Sequence, residues 1–422
     1  MDRYNLISLF GLFAMLVVAW SLSEHRKAVN WRLLAWGVGL QFVFGAFVFL
    51  VPAGKILFQR INDLVIWLLK PAGVGIEFVF GPLALGPDQK GSVGFILATQ
   101  ALPLIIFVSA LMSLLYYCRI MPLVIEAFAY VFTRLMRVSG AEALCAASNI
   151  FVGVESATVI RPYLKKMTRS ELCVVLTTGM ATVASNVLGL YVVALGGRFP
   201  AIAGHLVSAS VLSALAALMM AKLLVPEREE PRTLGVAVRV HYDRESSLFE
   251  AIINGAEVGM KLVLGIAALL IAVLGLVALV NAALGHFWTG GSLERLFGYA
   301  CCPFTYAMGV PWEDVPRVAA IIGERVIKTE VASYFDLAAA ADSLQPRSVI
   351  IATYALCGFA HFASVAIFVG GTAAIVPERK KDLAQVAWRA LLAATLACFM
   401  TACIAGVFTF GDQASAVLQG LR

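Results

Sequence analysis

Asn149–Pro162 reads NIFVGVESATVIRP, an almost wholly apolar stretch that still carries an amide, a glycine, a serine and a bare carboxylate, Glu155. Far downstream, Val326–Leu337 reads VIKTEVASYFDL and repeats the oddity with Glu330. Neither stretch is apolar for long enough to cross a bilayer. Non-helical backbone at membrane depth is tolerated only where protein or a water-filled cavity surrounds it. Both stretches are therefore expected to turn back on themselves, as re-entrant hairpins over 138–163 and 303–338.

The whole chain makes a membrane setting unavoidable. Of its 422 residues, 61% are hydrophobic and 14% charged, and mean hydropathy is +0.88. A soluble domain has about half its residues apolar and about a quarter charged. The net charge of +6 is then no sign of nucleic-acid binding; Lys and Arg retained on the cytoplasmic side account for it. The eight cysteines form no C-x-x-C pair and lie mostly in apolar runs, where cysteine is a small packing residue. No His/Asp/Cys spacing suggests an activated nucleophile or a metal cluster, so an enzyme is not expected. The first apolar stretch lacks a basic leader and a small-residue cleavage site and reads as a retained span.

Working outward from the hairpins, spans are expected at 4–22, 33–51, 96–118, 171–196, 200–225, 256–285, 348–376 and 385–410. Each has about 18 or more residues with few charges, enough for a hydrocarbon core of ~30 Å. Residues 55–80, interrupted by Arg60, Asp63 and Lys70, read as amphipathic and interfacial. The fold class expected is an all-α polytopic membrane protein with eight transmembrane helices, two re-entrant hairpins and interfacial helices. Basic loops at Glu24–Arg32, Arg161–Arg169, Pro226–Arg239 and Pro377–Asp382 place both termini outside. The order hairpin, span, span occurs at 138–225 and again at 290–410, one hairpin on each side, so the repeats are inverted. Matching interrupted segments in two halves are the best sequence pointer to a transporter's binding site.

Several blocks, in order, resemble the concentrative nucleoside transporters (solute carrier family 28 and its bacterial relatives): WGVGLQFVFG, LPLIIFVSALMSLLYY, SNIFVG, RPYLKKMTRSEL, NGAEVGMKLVLGIAALLIAVLGLVALVNA, MGVPWED and ALCGFAHFASVAIFVGG. The resemblance covers nearly the whole chain. It implies a homotrimer in the cell membrane, with a scaffold around an elevator-type transport domain. Residues 1–137 would be mostly scaffold, 138–225 and 290–422 the two transport repeats, and 226–289 a linker and scaffold span. The implied activity is cation-coupled import of nucleosides, with sodium as the expected ion, a proton as the alternative and no other cofactor. A divergent member carrying another polar, ring-containing substrate is the second reading.

The departures from the family matter as much. Where the family reads GQTEAP or GQSEAP, this chain reads GVESAT, one residue shorter. Val154 thus replaces an amide and a hydroxyl before Glu155, unless Ser156 is re-aimed into the vacated place. The family's NE is Thr329-Glu330, its GFANFSS is GFAHFAS with His361, and its ATIAGSVL is ATVASNVL with Asn186. By resemblance, the substrate site would comprise Val154, Glu155, Ser156, Thr329, Glu330, Phe359, His361 and Ser364. The cation would be held by the side chains of Asn149 and Asn186 and the carbonyls of Val152 and Val187; hard cations favour such oxygen sets. The chemistry suits a nucleoside. A desolvated acid accepts strong charge-assisted bonds from ribose hydroxyls, the role expected of Glu330 beside Ser364 and His361. Phe359 can pack on the base, and Glu155 can reach its polar edge. His361 admits three readings: a packed core histidine, a pocket donor and acceptor, or a proton carrier. Glu126, Glu142 and Glu257 read as helix-end carboxylates, and His25, His205, His241 and His286 as interfacial.

Overall fold

The structure, a computed structural model, describes residues 2–86, 89–153, 155–242, 245–287, 291–410, 414–415 and 417–418. Val154 lies outside the described residues. The described chain is helical, without a strand. It opens with α1 (Arg3–Ser21), α2 (Trp31–Phe49), α3 (Pro52–Leu69), α4 (Ala72–Phe80), α5 (Leu97–Gln100), α6 (Leu104–Tyr117) and α7 (Ile120–Met136). The first repeat unit follows: α8 (Gly140–Ser148), the short α9 (Ser156–Val159) and α10 (Arg161–Leu164), then α11 (Arg169–Ala181), α12 (Ser185–Leu195) and α13 (Ile202–Leu224). After α14 (Leu248–Phe287) and α15 (Leu293–Ala307), the same order recurs. It runs through α16 (Val315–Ile327), α17 (Glu330–Ala340), α18 (Pro346–Leu356), α19 (Phe362–Ile375) and α20 (Lys380–Phe408).

Among the described residues, eight helical runs are long and apolar enough to cross a membrane, the expected number with a changed membership. Pro52–Ala84, expected to lie in the interface, qualifies as a 33-residue run of which 6% of the apolar window is buried. The expected span 348–376 drops out because it is broken, and 171–196 is broken too. The second hairpin is α16–α17, starting later than expected, because residues 303–307 complete α15.

Local chemistry explains the boundaries. Ser139 and Glu142 form a capping box that starts α8, and Thr168 and Glu171 form another that starts α11. The Thr182 hydroxyl bonds back to the Thr178 carbonyl at 2.9 Å as the backbone leaves α11 in an extended conformation. The second break contains Gly358, where a Cβ would stand 2.4 Å from Cys398 Sγ and 2.8 Å from the Ala181 carbonyl oxygen. The breaks of the two repeats therefore touch, and only a glycine fits between them.

The helices sort into inner and outer sets. Within the apolar windows, 94% of α13 and 83% of α20 are buried, against 11% of α14. Lipid tails are as apolar as Leu, so burial in a membrane is driven by close packing and polar contacts; α13 accordingly carries SASVLSALAALMMA at its centre. The 40 residues of α14 span about 60 Å, twice the hydrocarbon thickness. Gly255 and Gly259 let α14 press on α6: a Cβ there would lie 2.7 Å from Ala110 Cα and 2.6 Å from Ile106 Cα.

Candidate functional site

The two hairpins and the two breaks converge, and the acids that opened the sequence reading line one cavity of about 300 Å³. Glu155 enters from the first hairpin and Glu330 from the second; Thr182, Asn186, Val187 and Tyr191 come from α11, the break and α12. Phe359 lies in the second break and Phe368 on α19, while Lys261 and Ile266 on α14 form the facing wall.

Glu330 is the first residue of α17, behind the N-cap Thr329, whose hydroxyl accepts from the Ala332 amide at 3.4 Å. A helix N-terminus favours a carboxylate, which lowers the cost of holding this fully buried acid. Its Oε1 accepts from Tyr191 Oη at 2.7 Å. Its Oε2 faces His361 Nε2 at 3.2 Å, but the two are not aligned for a hydrogen bond, and both atoms lack a hydrogen-bond partner. The Ser364 amide donates to His361 Nδ1 at 3.2 Å. A neutral ring therefore carries its proton on Nε2, on the side of the carboxylate but out of line with it. Tyr191 is held in turn by stacking on Tyr334, with centroids 4.3 Å apart.

The amide side chains expected to hold a cation form a second feature. Asn149 is the C-cap of α8 and fully buried. Its Nδ2 donates to the Cys145 carbonyl at 3.0 Å and to Thr178 Oγ1 at 3.1 Å, while its Oδ1 has no partner. Asn186 Oδ1, in the first turn of α12, is likewise buried and unpartnered. The Ser185 amide donates to the Phe151 carbonyl at 3.1 Å, tying the hairpin tip to the break. Unpartnered buried acceptors are rare and call for a ligand, water or ion.

Of the site residues expected from sequence, Glu155, Glu330, Phe359, Asn186 and Val187 line the cavity. His361 and Ser364 stand behind it, His361 against Glu330 and the Ser364 hydroxyl donating to the His361 carbonyl at 2.6 Å. Ser156 is buried with its hydroxyl 4.0 Å from Cys145 Sγ. Val152 lines a second cavity of about 300 Å³, which shares Glu155 and Asn186 with the first and reaches Tyr116, His241 and Asn254. The cavities thus form a route from the acids toward the segment after Pro226.

Sequence reading missed Tyr191 and Lys261. A lysine amid the apolar run of α14 was the available signal for Lys261; nothing in α12 distinguishes Tyr191 from an interfacial tyrosine. The Glu142 reading holds in that it caps α8 and pairs with Lys222, but the residue is fully buried rather than near water. The His205 reading does not. His205 is buried in α13, its Nδ1 3.0 Å from Tyr354 Oη, among Phe49, Phe58 and Phe199.

Two helix hairpins meeting two broken helices around a shared polar cavity, inside an all-α membrane core, define a polytopic membrane transporter. The chain belongs to the Na+ dependent nucleoside transporter family. The N-terminal model of that family matches residues 10–83 and its C-terminal model residues 205–406, while a model described as nucleoside recognition matches 98–198. Among curated relatives, solute carrier family 28 member 3 of Mus musculus is 39% identical over 97% of this chain and 60% of its own length. Sodium/nucleoside cotransporter 1 of Rattus norvegicus is 39% identical over 96% and 64%. The chain thus spans about six-tenths of the length of these relatives. Among solved structures, CNTnw in an inward-facing substrate-bound state has a TM-score of 0.90 and 33% identity, over 97% of this chain and all of that one. An outward-facing variant of CNTnw has a TM-score of 0.88 and 32% identity, over 97% and 98%.

Proposed function

We propose that the protein imports nucleosides across the cell membrane by sodium symport, moving the two repeats as an elevator past a scaffold built around α6 and α14. The observation that carries the reading is the meeting of Glu155, Glu330 and Phe359 on one cavity, beside two buried amide oxygens without partners. Its volume of about 300 Å³ is at the small end of ligand pockets. Glu330 Oε2 accepts from a ribose hydroxyl and His361 Nε2–H donates to one; both atoms are buried, so these bonds form out of water and gain strength. Phe359 packs on the base and Glu155 takes its polar edge. Ser156, Thr329 and Ser364 complete the neighbourhood, Thr329 and Ser364 by fixing Glu330 and His361; Val154 is assigned to it by resemblance alone.

Sodium is taken between Asn149 Oδ1, Asn186 Oδ1 and the Val152 and Val187 carbonyls. The alternative is a proton, with His361 or Glu155 as carrier. Residues 138–225 and 290–422 form the transport domain, 1–137 and 226–289 the scaffold and linker. The assembly is a homotrimer with both termini outside. The second cavity, which extends the site toward the basic segment after Pro226, supports an inward-facing arrangement.

Uptake of labelled uridine and adenosine into proteoliposomes, with and without a sodium gradient, tests the function. Accumulation driven by sodium is expected. Stimulation by an inward proton gradient alone would transfer coupling to His361 or Glu155. Competition by no nucleoside would leave the divergent-substrate reading. Asn149→Leu removes a proposed ligand and is expected to abolish sodium stimulation; an unchanged response excludes Asn149 from the ion site.

A further inference from the structure

Arg325 lies in the last turn of α16 and is fully buried. No ion pair joins it to a carboxylate among the described residues. Its Nη1 donates to the Ala355 carbonyl at 2.5 Å, in the last turn of α18, where the second repeat's helix breaks. Its Nε and Nη2 have no partner, and the guanidinium carbon stands 5.8 Å from the Phe399 ring centroid. A buried guanidinium without a counter-ion is costly. Its compensation here is the partial negative charge of the α18 C-terminus, the Phe399 ring face and the nearby Cys398 side chain.

The first repeat has the same contact with the opposite chemistry. There the end of the first hairpin helix, α8, also meets the last turn of the first half-helix, α11, through Asn149 and Thr178. That contact leaves an acceptor, Asn149 Oδ1, without a partner; the contact of Arg325 leaves donors. Half-helix C-terminal ends and unwound carbonyls are where transporters coordinate cations. One repeat therefore presents oxygen near the end of its half-helix, and the other places there a charge that is part of the chain.

We propose that Arg325 is the tethered cation of the second repeat, the fixed counterpart of the exchangeable cation in the first, and that it limits transport to one coupling ion per substrate. Arg325 is thus a positioning residue for coupling, since it is not among the residues that line the cavity. The proposal rests on the sodium reading of the Asn149 region. That reading is tested by the wild-type sodium curve alone: uptake indifferent to sodium overturns it, and this proposal with it.

The decisive measurement is the number of charges moved per nucleoside, from reversal potentials in proteoliposomes, together with the sodium dependence of uptake. A Hill coefficient does not exceed the number of sites. Wild type is expected to move one charge per nucleoside with a Hill coefficient of about 1. Arg325→Lys keeps the tethered charge and is expected to keep both values. Arg325→Met opens the place to a second ion, so uptake should need more sodium and its Hill coefficient should rise toward about 2. Two charges per nucleoside in wild type overturn the proposal, as does an Arg325→Met protein with wild-type uptake and an unchanged sodium curve. If Arg325→Met does not fold, the charge count in wild type and Arg325→Lys decides, one supporting the proposal and two overturning it.

Discussion

In the first repeat, the hairpin base is anchored by Lys222, with 9% of its side chain exposed, between Glu142 and Glu227. In the second, Lys328 stands at the hairpin tip between Glu294 and Glu324, and 20% of its side chain is exposed. The contrast extends inward. The first repeat offers unpartnered oxygens at Asn149 and Asn186, while the second offers a carboxylate already held by Tyr191 and faced by His361. Two units of the same helix order thus differ in what they present, one bare amide oxygens and the other a carboxylate and an imidazole. The lesson is that a repeat conserves the crossing of a hairpin with a broken helix, whereas its chemistry depends on the few side chains aimed into that crossing.

The largest expected effect tests the anchoring. Lys222→Met leaves Glu142 buried beside Glu171 without its cation, and breaking a buried pair in this way costs about 3–5 kcal/mol. The detergent-solubilised protein should lose most of its thermal stability. Lys328→Met, at a more hydrated place, should lower the melting temperature far less; equal losses would erase the distinction between the two anchors.

A smaller effect is expected at the second repeat. Glu330→Gln keeps the shape and removes charge-assisted bonding, so nucleoside affinity in a binding titration should weaken by about 1.5–3 kcal/mol. Uptake and affinity like wild type would remove Glu330 from the ribose site. The smallest effect is that of its support. Tyr191→Phe deletes the donor to Oε1 while Oε2 and His361 remain, a loss of about 1 kcal/mol. If Tyr191→Phe proves as damaging as Glu330→Gln, the tyrosine contacts substrate itself rather than holding the acid.

The sequence by itself determined the membrane class, the hairpin–span–span order, the pair of acids and the family. These are legible because they rest on local signals. A run of apolar residues has a length, a capping box has a three-residue spacing, and a carboxylate in apolar surroundings stands out wherever it occurs. The boundaries were less legible. The breaks at Thr182–Ala184 and Cys357–His361 lie inside runs whose hydropathy is that of one continuous span, because hydropathy averages over a window and does not register backbone direction.

The tertiary structure alone decided which groups meet. Tyr191 and Glu330 are 139 residues apart, and Arg325 and Ala355 are 30 apart on different helices; no periodicity predicts either contact. Gly358 could not be assigned a purpose until the Ala181 carbonyl and Cys398 were found against it. His205 was misread as interfacial because a lone histidine near a span end looks the same in sequence whether it meets water or four aromatic rings. The physical reason is common to all of these. Hydrophobicity, caps and turns act over one or two helical turns, whereas the partner of a buried polar atom is set by how whole helices cross, and that crossing exists only once the helices have packed.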